Sequence, residues 1–191
     1  VAPVDADGDG DTDLFIGGGV TPGRYPYAEQ SVYLRNESGA FVLDTTMLPT
    51  PNLGLVNAAQ WADLNADGAP DLVLAGEWEK VRIFLQENGK LIDRTATLIP
   101  EAEEGWWYSL RIADVDDDGD LDILAGNVGE NTKFQTDKSP KLYVYADDFD
   151  HNNTCDVVLT KTYKGKKVPV RGLQCSSEQM PFIKNKYRSY V

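Results

Sequence analysis

The stretch Asp114-Val-Asp-Asp-Asp-Gly-Asp-Leu-Asp122 decides the fold of this chain. It carries carboxylates at positions one, three, five, seven and nine and a glycine at position six. Carboxylates this close together repel one another unless a cation lies among them. An all-oxygen donor set favours Ca²⁺, which takes about 6–8 oxygens at roughly 2.3–2.6 Å. On this interpretation positions one, three and five give side-chain oxygens, Asp120 gives its backbone carbonyl, position nine closes the cage, and Gly119 turns the chain.

The same nine-residue pattern occurs four times. We number the copies loops one to four; they span residues 5–13, 63–71, 114–122 and 148–156. Loop four has Asn153 in place of the glycine, and Asn is the next-best residue for a left-handed conformation. A repeated pattern of this kind is a far stronger signal than a single acidic surface turn.

These loops are not EF-hands, because an EF-hand needs a glutamate at position twelve and a helix on each side. Position twelve is held by Ile16, Leu74, Ala125 and Leu159. Each loop is instead followed by a short apolar run, which is typical of a buried strand. These runs are 14–16, 72–74, 123–124 and 157–159.

The spacing of the loops predicts the architecture. Loops one and two begin 58 residues apart, and loops two and three begin 51 residues apart. Within the second repeat we predict strands at 58–62, 72–75, 81–86 and 90–95, with an Asn88-Gly89 hairpin turn before the last. Four strands in a repeat of about 50 residues are typical of a propeller blade. We therefore predict an all-β fold, a partial β-propeller of three to four blades with a short helical C-terminal tail.

At this point the chain resembles a known family. The stretch Val4-Asp-Ala-Asp-Gly-Asp-Gly-Asp-Thr-Asp-Leu-Phe-Ile-Gly-Gly18, followed by Tyr33-Leu-Arg-Asn-Glu-Ser-Gly-Ala-Phe41, is similar to the FG-GAP/VCBS repeats of integrin-α-like β-propellers. Residues 105–109 and 126–131 resemble bacterial VCBS-repeat surface proteins, which often carry an ASPIC/UnbV domain. The resemblance covers about residues 1–172. It implies Ca²⁺ between the first two strands of each blade and an extracellular or cell-surface setting: secreted, or periplasmic or outer-membrane-associated in a Gram-negative organism.

The resemblance also carries the family's calcium positions onto all four loops, with Asn65 and Asn152 as neutral oxygen ligands. The departure at Asn153 makes loop four the copy that follows the pattern least. The ligands it implies are Asp5, Asp7, Asp9, Asp11, Asp13, Asp63, Asn65, Asp67, Ala69, Asp71, Asp114, Asp116, Asp118, Asp120, Asp122, Asp148, Asp150, Asn152, Thr154 and Asp156.

The predicted organisation is a repeat segment over 1–172 and a helical tail over 173–191, with repeat units near 1–48, 49–99, 100–146 and 147–172. A polar connection at 128–140 interrupts the third unit, and 141–145 alternates as a strand leading straight into loop four. Either the third blade is short or the fourth unit shares this strand. In the tail, Ser176-Ser-Glu-Gln179 predicts a capping box, and Pro181 separates two short helical turns. Because the chain enters loop one by Asp5, we interpret it as part of a longer chain.

The two cysteines flank a predicted hairpin at 157–163 and 167–170. Residue pairs across a hairpin centred near Gly165 sum to about 330, as Cys155 and Cys175 do. In an oxidising compartment the two are predicted to face each other and form a disulfide, and otherwise they are two free thiols.

Charge limits the range of partners. The 191 residues carry a net charge of −13, which argues against nucleic acid and anionic membranes as partners. Four calcium ions would bring this charge to about −5, so most of the excess negative charge belongs to the predicted calcium ligands. No run of 18 apolar residues is present, so no membrane insertion is expected.

Catalytic groups are few. His151 is the only histidine, and at position four of loop four it is interpreted as an exposed spacer. No histidine-rich zinc site and no Ser-His-Asp arrangement is therefore expected. Trp106, Trp107 and Tyr108 precede loop three near a propeller face, where they either bind a protein or glycan ligand or fill space between blades. Trp61 and Trp78 are assigned to packing.

Together these features predict a calcium-binding extracellular β-propeller module for cell-surface adhesion or ligand binding, without enzymatic activity. The alternatives are a structural scaffold for another domain of a longer surface protein, a carbohydrate-binding lectin-like propeller, and a hydrolase or lyase. The identity of the ligand, whether protein or glycan, is left open.

Overall fold

The computed structural model describes residues 1–129 and 142–187. Most of the predicted connection at 128–140 lies outside these residues. The chain divides into two compact units. The first comprises Val1–Gly19 and Ala28–Val128, and the second comprises Val20–Tyr27 with the described residues from Gly129 onward.

The first unit begins with two four-stranded antiparallel meanders, in which each strand pairs with the next along the chain. The first blade consists of β1 (Ala2–Val4), β2 (Asp13–Ile16), β3 (Val32–Glu37) and β4 (Ala40–Leu43). The second consists of β5 (Leu55–Ala62), β6 (Asp71–Glu79), β7 (Arg82–Glu87) and β8 (Lys90–Asp93). The predicted fold class of antiparallel propeller blades is confirmed.

The later repeats are shorter in the described part of the chain. The third contributes β9 (Gly105–Ala113) and β10 (Asp122–Asn127), which pair with each other. The second unit contains a three-stranded sheet in the order β11 (Leu142–Asp147), β12 (Asp156–Tyr163) and β13 (Lys166–Pro169). Residues 142–146, assigned above to the third repeat, therefore lie in the sheet of the fourth. The remaining predicted unit and domain boundaries stay predictions.

Three short helices complete the described structure: α1 (Thr95–Leu98), α2 (Leu173–Gln179) and α3 (Ile183–Lys186). The predicted strand 90–95 ends at Asp93, because Asp93 Oδ1 accepts the Thr95 N–H at 3.0 Å and turns the chain into α1. The two helical turns of the tail are confirmed. The capping box is wrong, since the N-cap of α2 is Gly172 and the Ser177 hydroxyl donates to the Leu173 carbonyl at 2.6 Å inside the helix.

The predicted hairpin turn of the second blade is confirmed. Asn88 and Gly89 have φ values of 53° and 72°, and type I′ turns require positive φ at both central residues. The turns at Ser38-Gly39 and Lys164-Gly165 show the same pair of signs.

The apolar run of β6 is continuous because both faces of this strand are buried. Leu72 and Leu74 are buried against residues of the first blade, such as Phe15. Val73 points the other way and packs with Ile112 of the third repeat. Because side chains alternate across a strand, an apolar residue at every position means that both faces of the blade are covered.

Polar side chains also join neighbouring blades within the first unit. Gln86 Nε2 donates to the Ala6 carbonyl at 2.8 Å, and the Ile112 N–H donates to Gln60 Oε1 at 2.9 Å. Buried amides that satisfy backbone groups in this way fix the stacking of the blades as well as stabilising it.

Two adjacent glycines provide a matched test of blade packing. A Cβ added at Gly18 would lie 1.9 Å from the Glu29 carbonyl oxygen, whereas one added at Gly19 would meet nothing within 4 Å. We expect Gly18→Ala to lower the free energy of unfolding by about 1–3 kcal/mol, because backbone must move to admit the methyl group. Urea unfolding measures this, with Gly19→Ala as the control; equal effects of the two variants would contradict the packing described.

Candidate metal centre

Each of the four loops joins the first two strands of its repeat. Loop one connects β1 to β2, loop two connects β5 to β6, loop three connects β9 to β10, and loop four connects β11 to β12. This is the position that the sequence predicts. The site is therefore a corner that recurs once in each repeat.

The aspartate at position one organises the loop. In loop three, Asp114 accepts the Asp118 N–H at 3.2 Å on Oδ1 and the Gly119 N–H at 3.0 Å on Oδ2. Asp63 and Asp148 accept the equivalent pairs of N–H groups in loops two and four. One carboxylate thus holds the turn closed through backbone donors, an arrangement that also stabilises its negative charge.

The turn at position six is left-handed, as predicted. Gly119 has a φ of 97°, and Asn153 adopts 65°, so loop four keeps the shape of the others without its glycine. Position four is also left-handed, with φ values of 57–60° at Ala66, Asp117 and His151, which sequence reasoning missed. Gly8, at position four of loop one, is the residue from which this conformation could have been predicted. His151 is exposed, as expected of a spacer.

Position nine has a role that the sequence did not reveal. In every loop its Oδ2 accepts the backbone N–H of position two, at 2.9–3.2 Å. In the first two blades its Oδ1 also accepts an N–H from the third strand, Asn36 to Asp13 and Gln86 to Asp71, each at 2.8 Å. Asp13 and Asp71 are fully buried. The aspartate therefore joins the loop to the third strand whether or not it also binds a metal.

Asp13 receives a further hydrogen bond from a tyrosine. The Tyr33 hydroxyl donates to Asp13 Oδ2, and burial together with this carboxylate raises the pKa of Tyr33. Tyr33 therefore stays a neutral donor.

The carboxylates at positions one, three and nine converge. In loops one, three and four each of the three contributes an oxygen, and these oxygens lie within 4.8 Å of one another. Two oxygens bound to one Ca²⁺ at about 2.4 Å can be at most about 4.8 Å apart, so the spacing fits this ion. Burial, then the negative charges of neighbouring aspartates including Asp9 and Asp13, raise the pKa of Asp7. A cation would relieve this repulsion.

A buried oxygen in loop four supports the same interpretation. Asp150 Oδ1 is buried and has no hydrogen-bond partner among the described residues. Unsatisfied buried carboxylate oxygens are rare, because the charge loses its hydration without replacement. Bound Ca²⁺ would supply the missing partner, so the donor set fits the ion.

The remaining predicted ligands are placed less directly. At position five, Asp118 Oδ1 accepts the Asp120 N–H at 2.9 Å, which leaves its second oxygen for a metal. The same bond recurs at position five of the other three loops. In loop two, position three is Asn65, whose Nδ2 donates to Asp67 Oδ2 at 2.8 Å. Loop two therefore lacks the carboxylate at position three that the other loops place in their clusters.

The aromatic residues before loop three have different roles. Trp107 packs against the buried cluster around Val73, so its ring fills space between blades. Tyr108 is 49% exposed. Trp106 meets Trp78 edge to face, with ring centroids 4.9 Å apart. Trp78 has a φ of 64° at a bulge where β6 passes to pairing with β9, and positive φ at so large a residue is uncommon.

Trp61, assigned to packing, lies between the first two blades. Its ring meets those of Phe15 and Tyr33 edge to face at 6.5 Å, and its Nε1 donates to the Ala2 carbonyl at 3.3 Å.

The predicted disulfide is not formed, and Cys155 and Cys175 are both free thiols. The residue numbers of each pair between β12 and β13 add up to 329, close to the predicted 330, but β13 ends at Pro169. Cys175 therefore lies in α2 instead of opposite Cys155 on a strand.

Acidic turns that join the first two strands of stacked antiparallel meanders define a β-propeller repeat protein. The chain belongs to the FG-GAP-like repeat family, whose model matches residues 5–74 and again 63–125. Searches of curated proteins and of solved structures found no match. FG-GAP repeats are typical of extracellular or surface proteins, often bind Ca²⁺ and are generally non-catalytic. No helix in the described residues is long and apolar enough to cross a membrane.

Proposed function

We propose that this chain is a calcium-binding extracellular β-propeller module that serves adhesion or ligand binding and has no enzymatic activity of its own. The observation that carries the proposal is the convergence of three carboxylates at the same corner of three sheets. Ca²⁺ held there offsets part of the loop's negative charge and ties the first two strands of a blade together. The twenty loop residues named above would hold it, with positions one, three and nine as the central ligands.

Four sites of unequal strength are expected. Loop two has an asparagine at position three, so its site carries less negative charge than those of loops one and three. Calcium affinity in such loops follows the charge and rigidity of the ligand set. Loop two should therefore bind Ca²⁺ most weakly of the three loops that have a glycine at position six.

Adjacent aspartates in loop three allow a controlled test. Asp116 belongs to the converging cluster, whereas Asp117 lies next to it at position four, exposed and outside the cluster. Asp116→Asn and Asp117→Asn remove the same charge, and Asn tolerates the left-handed backbone at 117. In calorimetric titration with Ca²⁺ we expect about four sites in the wild type. Asp116→Asn should weaken the affinity of one site roughly tenfold, and Asp117→Asn should weaken none. Identical titrations of the two variants would count against calcium in this loop.

We base the proposed absence of catalysis on the residues that line one cavity of the first unit. A cavity of about 310 Å³ in the first unit is lined by Glu79, Lys80, Arg82, Asp93 and residues 95–97. Its arginine is already paired with Asp93 at 2.8 Å. Neither histidine nor cysteine lines it, so neither a Ser–His nor a Cys–His nucleophile pair can form there.

A second candidate function is a lectin-like role for the aromatic residues before loop three. The exposed ring of Tyr108 beside the Trp106–Trp78 pair favours it, since exposed aromatic rings stack on sugars. Tyr108→Ala should abolish signals on an array of neutral glycans, while Phe41→Ala, which removes a similarly exposed ring from β4, should not. If wild type gives no signal on neutral glycans, the scaffold alternative is preferred for this face.

A further inference from the structure

The second unit contains a surplus of positive charge that the net charge conceals. From residue 157 to 187 the chain has seven lysines and arginines and one acid, Glu178, although the whole chain carries −13. The ion pairs found in the described residues all belong to Arg35, Arg82 and Arg94 of the first unit. The seven cations are Lys161, Lys164, Lys166, Lys167, Arg171, Lys184 and Lys186, and none forms an ion pair with a described carboxylate.

One of these lysines lies on a pair of tyrosines. Lys167 Nζ is 3.6 Å from the ring centroid of Tyr143 and donates to the Tyr145 hydroxyl at 3.0 Å. Tyr143 and Tyr145 share a face of the sheet because they are two residues apart on β11. Lys167 lies on that face too. It pairs with Thr162 on β12, which is two residues from Thr160, the residue opposite Tyr143. We call Tyr143, Tyr145 and Lys167 the Lys167 platform.

The platform has unused binding capacity. An ammonium group has three donors, and Tyr145 takes one of them. The hydrogen bond that Lys167 donates to the Tyr145 hydroxyl raises the pKa of Lys167, so the group stays charged. Tyr145 is 42% exposed. Opposite Tyr143 on the same face, the buried hydroxyl of Thr160 has no hydrogen-bond partner among the described residues, which is rare.

We propose that the Lys167 platform binds a carboxylate-bearing sugar of an acidic polysaccharide. The exposed ring of Tyr145 takes the apolar face of the sugar, and the ammonium group of Lys167 donates to its carboxylate in charge-assisted hydrogen bonds. The surrounding unpaired cations attract the rest of the polyanion. This inference rests on the ligand-binding part of the proposed function and names the class of ligand.

Other acidic partners fit the surface less well. In the acidic loops of a second copy, bound Ca²⁺ would already take up the carboxylate oxygens that the platform would otherwise recognise. A long polyanion such as nucleic acid would be repelled at long range by a chain with a net charge of −13. A short acidic oligosaccharide carries few charges and meets less of this repulsion, and a few sugar residues suffice to cover the platform.

A hyaluronan hexasaccharide is a suitable probe, titrated into the whole chain by calorimetry at low salt with about 1 mM Ca²⁺ present. We expect saturable binding with a Kd of roughly 0.1–1 mM that weakens as salt is raised, and no binding of neutral dextran. Lys167→Gln should weaken binding about tenfold, and Lys167→Arg should restore it, since Arg keeps the charge. Lys90→Gln on β8, an exposed lysine outside the second unit, is the control and should bind as wild type does.

The same protein sample distinguishes the ways of failing. If hyaluronan does not bind while the calcium titration still gives about four sites, the platform proposal is wrong and the calcium module stands. If Lys167→Gln binds as wild type does, the polysaccharide does not use the platform. Equal or tighter binding of polyglutamate or of duplex DNA at matched charge would overturn the sugar assignment, because the rings would then contribute nothing.

Discussion

Asp71→Ala is expected to lower the free energy of unfolding by about 3–5 kcal/mol. Asp71 is fully buried, and its two oxygens accept the N–H groups of Leu64 and Gln86 at 2.9 and 2.8 Å. Each donor left buried without a partner costs about 1–3 kcal/mol. Chemical denaturation in calcium-free buffer measures this directly, since there the metal makes no contribution.

Two further variants separate this structural role from calcium binding. Asp71→Asn keeps the shape but offers one acceptor in place of two, so an intermediate loss is expected. Asp67→Ala removes an exposed carboxylate from position five of the same loop. Its effect should be large only with Ca²⁺ present, whereas that of Asp71→Ala should persist in chelator. If chelator abolished the effect of Asp71→Ala, position nine would act only through the metal.

Much of this fold could be predicted because its signals are local. The acidic and amide positions of each loop, the apolar run that follows and the Asn88-Gly89 turn each lie within about ten residues. Backbone sterics and alternating side chains determine their conformation, so one sequence is enough. For the same reason loop four could be recognised in spite of Asn153.

What could not be predicted depends on distant contacts. That Asp71 accepts the Gln86 N–H follows from β7 lying beside β6, and nothing near Asp71 in the sequence indicates it. Trp78 takes a left-handed conformation at the bulge in the pairing of β6 with β9, a tertiary effect that overrides its own preference. The disulfide prediction failed likewise, since it extended a correct hairpin register beyond Pro169 into residues that form α2.

The position-nine aspartates also bear on the proposed calcium sites. In loops one and four they are buried, and their carboxylates hold the second backbone N–H of the loop in place. Each ligand is therefore already oriented by the fold before a metal binds, which lowers the conformational entropy that binding must overcome. The remaining barrier is the repulsion between carboxylates, and bound Ca²⁺ reduces it.

Removal of calcium is accordingly expected to lower the melting temperature by about 10–20 °C. At about 1 mM Ca²⁺ and a Kd near 0.1 mM, each site adds roughly 1.4 kcal/mol, and four sites add about 5–6 kcal/mol. For a chain of this size, 1 kcal/mol corresponds to about 2–4 °C. Thermal unfolding followed by circular dichroism in EDTA and in Ca²⁺ gives the difference.

Two comparisons make the calcium result specific. Mg²⁺ in place of Ca²⁺ should restore little of the lost stability, because it demands a smaller octahedral cage and gives up its water reluctantly. Asp116→Asn should lower the melting temperature in Ca²⁺ but change it little in EDTA, since it removes one site, while Asp117→Asn should do neither. A melting curve unchanged by EDTA would show that the loops hold their shape through backbone hydrogen bonds alone, and the converging carboxylates would then need another explanation.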